Sequence, residues 1–147
     1  MNAIHLHLII THFPIICTLV AAGLLISGIA LHQQILRKAA YVVFIICAVL
    51  AFAASASGEQ SEILLQQDIR FSKELIDAHK KFAGTAFVWS VISGVLSIAA
   101  WYLENKNIHW ARAVTVFIAI IALLNFGLYA WVGYQGGVIR HEELHLK

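Results

Sequence analysis

Imidazole is the reactive group that this chain repeats most pointedly. His7 and His12 flank the stretch His7-Leu8-Ile9-Ile10-Thr11-His12-Phe13-Pro14, at the threshold of a long apolar run, and this stretch contains the only proline. A histidine at the edge of hydrocarbon is costly unless it has a partner. Neutral imidazole nitrogen is a good ligand for haem iron, zinc and copper. His7 and His12 are five residues apart, about 140° around a helix, so one metal ion does not take both from a regular helix. Two planar cofactors, or one cofactor and a second role, fit that spacing better. His141 and His145 are four apart, on one helical face, which suits a metal ion. Other chemistry is thinly represented. There is no serine or cysteine nucleophile motif, no phosphate loop and no carboxylate pair inside the apolar runs. Cys17 and Cys47 both lie in apolar runs and form no CxxCH site, so covalent c-type haem is excluded.

The elements that must position these groups are membrane spans. Of 147 residues, 61% are hydrophobic and 12% charged, against nearer half and a quarter for a soluble domain. The net charge of +2 gives no argument for nucleic acid. A bilayer core of about 30 Å needs roughly 20 helical residues. Apolar runs over 13–31, 39–57, 82–103 and 111–134 supply four, and with their flanks the spans are read as 4–31, 39–57, 79–103 and 109–135. The first run is long enough to span and has no basic stretch before it, so it is not read as a cleavable signal. Pro14 either kinks a helix begun near Asn2, freeing the Ile10 carbonyl, or sits in a first turn where its missing N–H costs nothing. Small residues recur at packing distance: Gly23 with Ser27, Ala53 with Ser57, Ser90 with Gly94, Ser93 with Ser97. Two short connections and a longer one predict an all-α, antiparallel four-helix membrane bundle. In the longer connection, 59–78, Leu64, Leu65, Ile69, Leu75 and Ile76 recur at helical spacing, which predicts an amphipathic helix on the membrane face.

Basic residues orient the bundle. The short connections and their flanks carry Arg37, Lys38, Lys106 and Arg112 against Glu104 alone, whereas the opposite side mixes its basic residues with seven acids. The short connections are therefore placed in the cytoplasm and both termini outside. Six histidines then fall on the outer side, and His32 and His109 on the inner side. His12 and His79 stand within about 5 Å of the hydrocarbon boundary, so a shared site is possible. His141 would lie roughly 10 Å beyond Tyr134 on a continuing helix, and Gly136-Gly137 offers a turn to bring it back.

His7-x4-His12-Phe13-Pro14-Ile15, then His79-Lys80-Lys81-Phe82-x-Gly84, then Gly136-Gly137-x3-His141, in that order on spans one, three and four, resembles a bacterial four-helix inner-membrane domain of unknown function. Many members are fused to, or encoded with, c-type cytochrome domains on the outer side of the membrane. Two positions depart from its pattern: Leu8 stands where a proline usually follows the first histidine, and Glu142 where a glycine usually follows the last. The resemblance implies a b-type cytochrome-like subunit in which His7, His12, His79 and His141 ligate one or two haem b groups near the periplasmic face. The expected pairing is His12 with His79 and His7 with His141. Bis-imidazole coordination leaves no open iron position, which suits electron transfer. The partners implied are membrane lipid, a periplasmic c-type cytochrome or other subunits of a redox complex, and a quinone as a further candidate. Two alternatives stand beside it: a cofactor-free assembly or anchor subunit of a larger membrane complex, and an outer-face zinc, copper or iron site.

Overall fold

The computed structural model describes residues 3–66 and 72–145, with side chains described over 5–63 and 72–139. Four helices account for it: α1 (Ala3–Ala30), α2 (Gln34–Gln66), α3 (Lys73–Asn105) and α4 (Ala111–His145). All four are long and apolar enough to cross a membrane, and the chain is a multi-pass membrane protein. Each helix packs on its sequence neighbours, and α1 meets α4 to close a four-sided bundle.

What is buried is the reverse of a water-soluble bundle. The interior holds Thr18, Ser90, Ser93, Ser97, Thr115 and Asn125 among alanines, while Ile9, Phe13, Leu19, Val95, Leu124 and other large apolar side chains face outward. Lipid supplies no hydrophobic drive between helices, so close backbone approach and interhelical hydrogen bonds must hold them. Gly94 shows the first device: a Cβ there would stand 2.8 Å from the Ala48 Cβ of α2. Of the other spaced small pairs, Ser90 and Ser97 are buried, but Gly23 and Ser27 face outward.

The two short connections are built alike. At the end of α1, the Gln33 N–H donates to the Gly28 carbonyl at 3.0 Å and the His32 N–H to Ile29 at 3.3 Å. At the end of α3, the Ile108 N–H donates to Leu103 at 3.0 Å and the Asn107 N–H to Glu104 at 3.1 Å. Both are Schellman closures, with His32 (φ 55°) and Asn107 (φ 53°) in the left-handed position.

The helices run longer than the spans predicted from apolar length. Pro14 lies inside α1, so the first of the two placements holds. No separate surface helix follows α2 among the described residues: the helical period of 59–78 prolongs α2 to Gln66 and starts α3 at Lys73, with Ser72 as N-cap. Lys80 of α3 donates to Glu62 of α2 at 2.9 Å and ties those extensions together. The turn expected at Gly136-Gly137 is absent: α4 continues through both glycines, neither with positive φ. The backbone of His141 therefore continues along the helix, roughly 10 Å past Tyr134.

Two stability outcomes follow. Gly94→Ala should cost about 1–3 kcal/mol by overpacking the α2–α3 contact. Gly84→Ala, where a Cβ meets nothing within 4 Å, should be neutral or mildly stabilising. Equal effects on unfolding in mixed micelles would refute this account of the contact. His32→Gly should raise stability by up to about 1 kcal/mol, because glycine removes the left-handed penalty; a loss would contradict it.

Candidate imidazole site at the open end of the bundle

The end of the bundle away from the short connections brings together His7 of α1 and His79 of α3. Both are partly buried, and His79 lies within electrostatic reach of His7. His7 reaches across to α2, where its Nδ1 is 3.0 Å from the Ser57 hydroxyl. That hydroxyl donates its only proton to the Ala54 carbonyl at 2.9 Å. With that proton committed to Ala54, the hydroxyl accepts from His7, and the imidazole proton then sits on Nδ1 with Nε2 left bare. A histidine held by its far nitrogen in this way is prepared to ligate a metal. Gly58 leaves the room the ring needs: a Cβ there would stand 3.1 Å from the His7 Cε1.

His79 is seated in the same manner on α4. A Cβ at Gly136 would stand 3.4 Å from its Cε1, and the Val132 carbonyl is nearby. Its Nδ1 is buried without a hydrogen-bond partner, and so is the Oε1 of Gln135, next in the chain to Gly136. A buried polar atom without a partner costs about 1–3 kcal/mol, so each marks a point that these side chains leave incomplete. Phe82, Trp131 and Tyr134 line the same end of α3 and α4, with Phe82 edge-on to Trp131 at 6.4 Å and Trp131 5.6 Å from Tyr134.

The other histidines lie apart. His12 is exposed on the outward side of α1, its Nδ1–H donating to the Leu8 carbonyl one turn back at 2.5 Å. The 140° between His7 and His12 thus resolves with His7 inward and His12 outward, and it is His7, not His12, that lies within electrostatic reach of His79. The side chains of His141 and His145 lie outside the described residues. His5 is exposed, and so are His32 and His109 at the opposite end. Among the described residues no three His, Cys, Asp or Glu side chains converge as a metal-ion site. Ser57, Gly58 and Gly136 are the residues that sequence reasoning did not assign to the site, because their partners lie 50 or more positions away in the chain.

No family model, curated protein or solved structure matches the chain. The site is thus read on its own chemistry. Two imidazoles from different helices, each seated against a glycine of a neighbouring helix, are the candidate ligands at this end.

The tautomer is directly measurable. Imidazole nitrogen NMR of the protein should show neutral His7 protonated on Nδ1. Ser57→Ala should erase that preference and cost about 0.6 kcal/mol, the usual size of an interhelical hydrogen bond in a membrane. Finding the proton on Nε2 of His7 would contradict the arrangement.

Proposed function

We propose that the protein is a b-type cytochrome-like membrane subunit that carries bis-histidine haem at the open end of its bundle and passes electrons to or from a partner. The observation that carries this reading is the approach of His7 and His79 from α1 and α3, each against a glycine of the neighbouring helix. Haem b held by two imidazoles would supply a one-electron couple suited to electron transfer rather than oxygen chemistry. His7 and His79 would hold it in this reading, in place of the pairing of His12 with His79. Ser57 positions His7 by fixing its tautomer, and Gly58 and Gly136 admit the two rings. His12 and His141 remain the ligands that a second haem would use.

The basic residues of the short connections favour placing those connections in the cytoplasm of a bacterial inner membrane, so that the haem end faces the periplasm. A c-type cytochrome or another redox subunit on that side is then the natural exchange partner, with a quinone as the lipid-soluble alternative. All four proposed ligands belong to one end, so this chain alone does not carry electrons across about 30 Å of hydrocarbon.

Protein purified after haem-replete expression should show a sharpened b-type α band on adding dithionite. His7→Ala and His79→Ala should each abolish at least one haem, and His32→Ala and His109→Ala should retain the full complement. A colourless preparation, or a spectrum unchanged by His7→Ala and His79→Ala, would overturn the assignment.

A further inference from the structure

At the opposite end, where the short connections lie, all four helices surround a half-open cleft of about 480 Å³. Arg37 of α2 dominates one wall. It pairs with Glu104 of α3 through Nε and donates from Nη1 to the Gly28 carbonyl of α1 at 3.1 Å. The Glu104 side chain is only 10% exposed, and its second oxygen, Oε2, is buried with no hydrogen-bond partner. The other wall carries His32, His109 and Arg112, all exposed. Arg112 makes no ion pair among the described residues.

This cleft does not stand alone. His109 and Arg112 also head an open, mostly apolar strip along one face of α4, past Val116, Phe117 and Ile120. A polar cleft continuous with an apolar strip of α4 through two shared residues suits one amphiphile, its head at the helix ends and a chain along the lipid-facing side of α4. The charges narrow the head. Arg37 and Glu104 cancel, Arg112 leaves one positive charge, and the orphaned Glu104 oxygen needs a hydrogen-bond donor.

From this we infer that the short-loop end binds an anionic phospholipid of the phosphatidylglycerol type. Arg112, assisted by His109 and His32, holds the phosphodiester; a headgroup hydroxyl donates to Glu104 Oε2; and one acyl chain lies against Val116, Phe117 and Ile120. A phosphatidylcholine head has neither the net charge nor the donor. Glycerol phosphate has both but lacks the chain. The inference is independent of haem, because it concerns the opposite end of the bundle.

Native mass spectrometry of the detergent-purified full chain tests it, with phosphatidylglycerol, phosphatidylethanolamine and phosphatidylcholine of identical acyl chains. Phosphatidylglycerol should be retained about fivefold over phosphatidylcholine, the factor that one interfacial cation contributes. Arg112→Gln should bring the ratio close to one. Lys38→Gln, which removes a cation at the same end that instead sits over the Trp101 ring at 5.9 Å, should leave it unchanged. Equal retention of the lipids, a preference for phosphatidylethanolamine, or an equal loss on Lys38→Gln would overturn the site. Displacement of the lipid by an equal concentration of soluble glycerol phosphate would overturn the role of the apolar strip.

Discussion

Hydrocarbon offers no hydrogen bonds, so every polar group that this bundle buries must find its partner inside. The structure meets that demand in layers. His7 with Ser57 forms the outermost. Deeper, the Thr18 hydroxyl donates to the Pro14 carbonyl at 2.7 Å and the Cys47 thiol donates to the same carbonyl at 3.4 Å, joining α1 to α2. At a similar depth Ser90 meets the Tyr129 hydroxyl at 2.7 Å and accepts from Asn125 at 3.0 Å, joining α3 to α4. Tyr41 with Thr115 at 2.7 Å then ties α2 to α4, and Arg37 with Glu104 closes the short-loop end. Each layer ties a different set of helices, so the register of the bundle is specified along its length.

Against that background the unpartnered atoms carry the most information. Few polar atoms are left over, and they are distributed unevenly. Among the described residues, His79 Nδ1 and Gln135 Oε1 lie at one end, Glu104 Oε2 at the other, and Asn125 Oδ1 in the middle. The first pair lies at the end where the proposed haem ligands stand, and the Glu104 oxygen lies in the cleft proposed to take a phospholipid head. Among the described residues, three of these four atoms lie towards the ends of the bundle and one, on Asn125, lies in its middle.

The sequence made the number and class of the helices readable, because four apolar runs of spanning length admit little else. Helix ends were less readable. Gly58 and Gly136-Gly137 look like stops when taken as isolated glycines; in the bundle Gly58 and Gly136 lie inside helices and receive the rings of His7 and His79. Their purpose depends on a partner elsewhere in the chain, and no local pattern encodes that. The same limit applies to the site. The spacing of His7 and His12 showed that they must diverge, but α1 is apolar on all sides, so it could not show which one faces inward. Glu104 read as an acid ending a span; its pairing with Arg37, 67 positions away, emerges only once α2 and α3 lie side by side.

The unequal sides of the bundle bear on the order in which it comes together. The richest packing is between α1 and α2 and the thinnest between α1 and α4, the one seam that joins the beginning of the chain to its end. A newly made chain can therefore complete its first hairpin, tight turn included, before the second exists, and then add α3 and α4 against surfaces already in place. The seam between the first and last helices is then the last that a growing chain can close.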